Sequence, residues 1–500
     1  MKIMNNKSSN NRNFVSRFSF SGLVALLTLF LVVVRAVKNV DPHWDTLAYH
    51  WPFAARISDL CSTTCLTLQT GGEWRYEGFP KLWHWLQGVV WQITGSPSQL
   101  DLLNIFIVGI VCIYLKSRFT VPLAWSWLAF LAIPEIQIEL TSSYIDLPLN
   151  AALTLAVLVI GRLIVQPDKT YSSDLIYAFL ALFLVANSKF QLVPVALLLW
   201  MSISGLFLAQ RKNPKNQNKK IQFFVMVSVG SLVLCPLLLL NLFKFGNPFY
   251  PIIIDLGSIH LPGREPMVSS IAVSDVYINW PGPFRWIASV LEFDAFRNRP
   301  LPWTLGQGEV PQSSPSFRMG GYFVSYVVGM IALLIWSAKE TAKGSHLLIT
   351  FAALTLLCAF LPLSFESRYY SFWMLSLVCL VLIITHSSAL NTEVQAIQRG
   401  VAHGAISIAF ISVVSITGAE YLKTQSISLE NLIKPTEAIV SQVPDGSTLC
   451  ILNRAREAIL YSTLFHPNRN YQTKILWEDE VDLSCTVRLD ISKNKLEFTP

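Results

Sequence analysis

With 52% apolar residues and only 14% charged over 500 positions, and a mean hydropathy of +0.46, the composition excludes a soluble globular protein; charged residues make up about 25% of such domains. Apolar runs near the roughly 18–20 residues that a helix needs to cross a bilayer recur along the chain, and only helices and closed barrels satisfy every backbone group in lipid. The formal charge of +7 does not imply nucleic acid, because the basic residues fall largely in short loops and the N-terminal tail, where the positive-inside rule places them.

In chain order, residues 1–17 read as a disordered cytoplasmic tail carrying Lys2, Lys7, Arg12 and Arg17. The first span runs from about Phe20 to Val37; its apolar core is long for a signal peptide and no small-residue cleavage site follows, so it reads as an uncleaved anchor with the N-terminus inside. Residues 38–100 form a first outside loop with juxtamembrane helices. Within it, Phe79 to Ile93 is apolar but laced with Trp, His and Gln, and reads as a helix lying in the interface rather than a span. Further spans are expected at about 101–115, 119–134, 147–165, 174–187, 190–208, 221–243, 320–337, 347–363, 370–386 and 401–418. This alternation puts Lys116, Arg118, Arg162, Lys169, Arg211 to Lys220, Lys339 and Lys343 inside, and Glu135, Glu139 and Asp146 outside.

The expected architecture is an all-α polytopic membrane body over 18–419 with about 11 transmembrane helices, the C-terminus outside. It carries a long outside loop at 244–319, too long for a bare connection. Residues 420–500 read as a small outside soluble domain of α/β character, with a strand at Thr448–Leu452 and a helix from Arg454 to Phe465. Cys112, Cys235, Cys358 and Cys379 fall in spans. Cys61, Cys65, Cys450 and Cys485 fall outside, where Cys61–Cys65 and Cys450–Cys485 bridges are chemically allowed.

Four polar clusters fall on one side. Asp41-Pro-His43-Trp-Asp45-Thr-Leu-Ala-Tyr49-His50 follows the first span. Asp45 reads either as the N-cap of the helix after it or as a base that takes the proton from an attacking hydroxyl, with Asp41, His43, Tyr49 and His50 near enough to share the site. Asp146 reads as a second N-cap or as an acid lining an outside cavity or holding a divalent cation, with Glu135 and Glu139 as alternatives. Lys189, in a polar break between apolar runs, reads as a snorkelling cation or a phosphate contact. Arg368, between Glu366 and Tyr369, reads as a partner of Glu366 or as a planar fork for phosphate.

Asp45-Thr-Leu-Ala-Tyr49-His50-Trp-Pro52 after a first span resembles the first-loop signature of the GT-C superfamily of integral membrane glycosyltransferases. The likeness is to its bacterial protein-mannosyltransferase-like and lipid A aminoarabinose-transferase-like branch. Phe79-Pro80-Lys-Leu-Trp-His-Trp85-Leu is similar to that branch's PPLYYWL helix, with one proline in place of two. Ser188-Lys189 is similar to its TKG turn, with Phe190 where Gly is usual. Phe245-Gly-Asn-Pro-Phe-Tyr-Pro251 resembles a loop common in the branch, and Arg368-Tyr369 resembles its RY at a late span. The resemblance covers about the first 390 residues.

It implies a GT-C-like fold and a periplasmic active site on a bacterial inner membrane. There, a sugar would pass from a polyprenyl-phosphate donor to an acceptor the sequence does not identify, with inversion. Asp45 would be the catalytic or metal-binding acid and Asp146 the second acid, while Lys189 and Arg368 would touch the lipid phosphate. The first loop has Asp45-Thr46 where some relatives carry Asp-Glu, which leaves open whether Mg²⁺ or Mn²⁺ takes part. A transporter or flippase of lipid-linked sugars and a non-catalytic envelope assembly protein are the competing readings.

Overall fold

The computed structural model describes residues 19–42, 45–61, 70–167, 172–210, 219–265, 280–291, 321–341, 343–364, 367–386, 393–424, 427–452, 456–476, 482, 484–491 and 495–498. Where about 11 spans are expected, ten apolar helical segments stand among the described residues and one expected span is broken. Five are long and apolar enough to cross a membrane alone: Phe20–Lys38, Pro97–Phe119, Asp146–Val165, Phe190–Ala209 and Glu393–Ser415. A sixth is a bent pair, Phe224–Leu234 and Pro236–Phe245, meeting at 65°. Pro236 lacks the amide hydrogen that would continue the first helix. Four are shorter: Ser172–Ala186, Val324–Lys339, Gly344–Phe360 and Phe372–His386.

The broken span departs from expectation. The span expected over 119–134 is a nine-residue helix, Leu123–Leu131, followed by a separate turn of helix, Pro134–Glu139. Pro122 and Pro134 set these boundaries, because the residue before a proline is pushed out of helical conformation.

The central element is Asp146–Val165. Its neighbours are Leu102–Phe119, Ser172–Ala186, Val193–Gln210 and Phe372–His386, and Ala151, Ala152 and Ala156 lie buried along it. Small residues let helix backbones approach closely where water supplies no driving force between them. The first span is the opposite case: Phe20, Leu23, Leu26, Leu27, Phe30 and Leu31 are exposed, a face suited to lipid.

The two ends of the central helix differ. At one, Asp174 pairs with Arg118 Nε at 3.0 Å and Arg162 Nε at 3.1 Å, and accepts from the Tyr114 hydroxyl at 3.1 Å. The other end is Asp146, about 24 Å away at 1.5 Å per residue.

The first loop turns through a π-helical turn, Thr46–His50, into a helix over Trp51–Ile57. The stretch expected as an interfacial helix is a 13-residue helix, Leu82–Thr94, too short to cross; it buries His84, Gln87, Gly88 and Trp91 and exposes Trp85 and Ile93. It packs on Trp51–Ile57. Of the long loop, a hairpin of Ile254–Leu256 with Ile259–Leu261 and a helix over Gly282–Leu291 are described.

The C-terminal unit has a four-stranded sheet in the order Gln472–Leu476, Thr448–Leu452, Val487–Asp490, Lys495–Phe498. The first three strands run parallel and the last pair is antiparallel. A helix over Leu429–Val440 precedes it, and its own core includes Val440, Val443, Leu449, Ile451, Val487 and Leu489. Cys450 and Cys485 are bridged. Cys61 is disulfide-bonded as well; Cys65, its expected partner, lies outside the described residues. The strand at Thr448–Leu452 stands where expected. The helix expected from Arg454 to Phe465 is instead a 3₁₀ turn over Arg456–Tyr461, closed when the Ser462 amide and hydroxyl both return to the Ile459 carbonyl.

Gly88 fixes how closely the two juxtamembrane helices meet: a Cβ there would lie 2.6 Å from the Ala54 carbonyl oxygen and would also collide with Ser58 Oγ. Gly88→Ala is expected to destabilise by about 1–3 kcal/mol through overpacking, despite the better helix propensity of Ala. Thermal unfolding in micelles checks this, with Gly109→Ala, whose Cβ meets nothing within 4 Å, expected neutral or slightly stabilising.

Candidate active site

The acids singled out in the sequence do not cap helices. Asp45 has helical dihedrals (φ −64°, ψ −34°) and makes no side-chain cap bond; a cap residue is normally extended. Asp146 is the first helical residue, with Ile145 in the cap position and no cap bond. Both carboxylates turn instead to cations from distant parts of the chain. Arg368 Nη1 lies 3.3 Å from Asp45 Oδ2, and the Lys189 ammonium donates to Asp146 Oδ1.

Aromatic rings interleave these charges. The Lys189 ammonium sits 3.9 Å from the centre of the Tyr369 ring. The Arg368 guanidinium lies 4.9 Å from that ring and 5.5 Å from Tyr144, and donates to the Tyr369 hydroxyl at 3.2 Å. Asn150 ties the cluster together: its amide donates to the Asp146 carbonyl at 2.8 Å and to the Arg368 carbonyl at 3.0 Å, while its oxygen accepts from the Phe372 amide at 3.0 Å. The Arg368 turn is thereby fixed to the start of the central helix.

Lys189 is placed by the first loop. The helix Leu82–Thr94 begins with amides that have no partner in their own helix. Leu82 N donates to the Asn187 carbonyl at 2.9 Å and Trp83 N to Ser188 Oγ at 3.1 Å, so the turn before Lys189 serves as its N-terminal support. A second chain of bonds locks the Ser142–Tyr144 loop: Trp51 Nε1 donates to Ser143 Oγ at 3.1 Å, which donates to Asp101 Oδ1 at 3.1 Å, and Gln87 donates to the Ser143 carbonyl at 2.8 Å.

Of the residues expected at the site, Asp45, Asp146, Tyr49, Lys189, Arg368 and Tyr369 come together. The charges of Asp45 and Asp146 both act on Tyr49; burial, then those charges, push its phenol well above the ordinary range. Burial, then Asp45 and Asp41, do the same to Tyr144. Both phenols therefore stay protonated donors at neutral pH. Asp41 is buried nearby and accepts from the Thr46 hydroxyl at 3.4 Å. Glu135 and Glu139, the alternative acids, are buried, and Glu139 lies close enough to feel Asp146 and Arg368. His43 and Glu366 lie outside the described residues.

His50 has a partner the sequence did not reveal. Its Nδ1 lies 2.9 Å from His84 Nε2, the rings stacked at 5.1 Å. Burial depresses His50 well below the ordinary range and brings His84 down to about 3. One proton therefore sits between two neutral rings, and the outer nitrogens, His50 Nε2 and His84 Nδ1, are buried without a partner among the described residues.

Among the described residues no three His, Cys, Asp or Glu side chains gather as a metal site. Asp45 and Asp146 are each engaged by a cation, a donor set that does not suit the Mg²⁺ or Mn²⁺ left open by the sequence.

No protein-family model and no curated protein sequence matches the chain. Solved structures do. The structure of ArnT from Cupriavidus metallidurans in the apo state superposes with a TM-score of 0.51 at 12% identity, covering 91% of this chain and 88% of that one. ArnT from the same organism bound to undecaprenyl phosphate gives a TM-score of 0.50 at the same identity and coverage. The chain therefore shares the fold of these ArnT structures, and its apolar helices make it a multi-pass membrane protein.

Two outcomes are expected. Asp146→Asn and Lys189→Met should each cost about 3–5 kcal/mol, since each leaves one buried charge unmatched, and the double substitution should cost less than the sum in a thermodynamic cycle. For the His50–His84 pair, the folded state resists protons that the unfolded chain accepts, so their contribution is complete above about pH 6.5 and is lost as pH falls below it. Stability should drop by about 1 kcal/mol per histidine between pH 7.5 and 5.5. His84→Phe should flatten that slope in thermal unfolding followed across pH.

Proposed function

We propose that this protein transfers a sugar from a polyprenyl-phosphate donor to an acceptor at the outer, periplasmic face of a bacterial inner membrane, with inversion at the anomeric carbon. The observation that carries the reading is the paired arrangement of two acids with two cations, Asp45 with Arg368 and Asp146 with Lys189, at one end of the spans of this fold. The ArnT structure bound to undecaprenyl phosphate supports a lipid phosphate as the ligand class. The disulfide of the C-terminal unit supports an outside location for that unit, and the basic loops support a cytoplasmic N-terminus.

In the reaction, the acceptor hydroxyl oxygen bonds to the anomeric carbon as the bond from that carbon to the phosphate oxygen breaks. The electron pair leaves with the polyprenyl phosphate. The hydroxyl proton passes to Asp45. Lys189 and Arg368 offset the charge that develops on the leaving phosphate. Arg368 is shared between Asp45 and that phosphate, so donor binding draws the guanidinium away and leaves Asp45 a free base beside the acceptor. Tyr49 and Tyr369, both phenols of this cluster, line the donor, with Asp41 and His50 behind them.

The test uses the protein in nanodiscs with a panel of radiolabelled polyprenyl-phosphate sugars, with and without divalent cation. Wild-type protein is expected to release or transfer the sugar of one donor. Asp45→Asn should reduce turnover at least about 100-fold at equal folding, the usual scale of a lost general base. Lys189→Met and Arg368→Gln should weaken binding of undecaprenyl phosphate itself. Donor passage across the bilayer without sugar release would instead favour a flippase.

A further inference from the structure

The segment that carries Asp45 has little to hold it by itself. Asp45 enters a π-helical turn, a rare conformation that occurs mostly as single turns inside longer helices. The flanking strand, Asn39–Val40, is only two residues long, and short isolated pairs are marginal in water.

Both sides of this segment are held by the same distant piece of chain. Before Asp45, Asn39 pairs with Ser428 and Val40 with Ile427 in an antiparallel ladder. After it, Leu47, Trp51 and Phe53 bury into one apolar cluster with Ile459 and Leu460, against which Leu464 and Phe465 pack. The Phe465 ring lies 5.8 Å from Trp51 and 6.0 Å from Trp91. The two grips bracket Asp45: Val40 is five positions before it and Leu47 two after. The 3₁₀ turn over Arg456–Tyr461 rests on the π-helical turn.

We propose that the C-terminal unit is a positioning element for the base, with Ile427, Ile459, Leu460 and Phe465 as positioning residues that hold the 39–57 segment so that Asp45 meets Arg368 and the acceptor. This inference rests on the reading of Asp45 as a base. Lys189 is held through Ser188 from the Trp83 end of the helix Leu82–Thr94, and Arg368 through Asn150 and the Phe372 amide, whereas Phe465 touches that helix at Trp91, about two turns further on. Loss of the Phe465 or Ile427 contact is therefore expected to move Asp45 before it moves the Lys189 turn.

The experiment uses full-length protein in nanodiscs, wild type beside Phe465→Ala and Ile427→Pro, the second of which removes an amide from the ladder. Two quantities are read: binding of undecaprenyl phosphate, and kcat with the donor found active. The expected result is a fall in kcat of about 100-fold, the scale of a group displaced by about 1 Å, with undecaprenyl phosphate affinity and donor KM within threefold of wild type. Adding Val40→Cys with Ile427→Cys to Phe465→Ala, to staple the paired positions, should recover most of the lost kcat. If Phe465→Ala and Ile427→Pro turn over at the wild-type rate, or lose lipid binding and kcat in step, or the staple restores nothing, the positioning role is overturned while the donor reading stands. If wild-type protein binds and turns over no donor at all, the parent reading falls and this one with it.

Discussion

Pairing of charge at the edge of an apolar body is the constraint on which the rest of this structure depends. A carboxylate removed from water costs several kcal/mol unless a cation and hydrogen bonds replace its hydration. Asp146 and Lys189 meet that requirement directly, and Asp45 meets it through Arg368. To bring these partners together, four stretches far apart in sequence must converge. Asn150 and Tyr369 exist in the structure chiefly as the joints of that convergence, one holding backbone and the other offering a ring to both cations.

The central helix shows why chemistry is confined to one end. At its Arg162 end, Asp174 is enclosed by two guanidinium groups and a phenol, so its acceptor sites are used within the protein. At its Asp146 end the cations are balanced one to one and flanked by phenols held in their protonated form. In the proposed reaction such a cluster would exchange a carboxylate for a phosphate on the same cations at modest electrostatic cost.

Much of this was legible in the sequence, because ionisable residues at the ends of apolar runs are rare and must be matched. Asp45, Asp146, Lys189 and Arg368 could be placed on one side from the alternation of basic loops alone. Which acid takes which cation could not: Glu366 is the nearer partner of Arg368 in sequence, and only packing brings Asp45 to it. His84 went unnoticed because its stretch reads as a surface helix rich in Trp and Gln. The available signal was its spacing, since His84, Gln87, Gly88 and Trp91 fall on one face and none of them carries an aliphatic side chain. The span expected over 119–134 failed on two prolines whose effect on local backbone outweighs hydropathy. The helix expected after Arg454 failed because Ile459 and Leu460 are claimed by the first loop, a tertiary demand that no local pattern encodes.

The pairing of Asn39–Val40 with Ile427–Ser428 has a consequence for how the molecule is made. The first span is made before that partner strand, and its exposed apolar face suits lipid. The strand just behind it then waits for a partner that lies 387 positions further along the chain (427 − 40); at about 5–20 residues per second the delay is tens of seconds. During that interval the nascent chain holds an anchored but unshaped first loop. Maturation of the loop therefore follows synthesis of the spans between the two strands, and a chain that stops before Ile427 leaves the insertion machinery as a membrane protein without a finished rim.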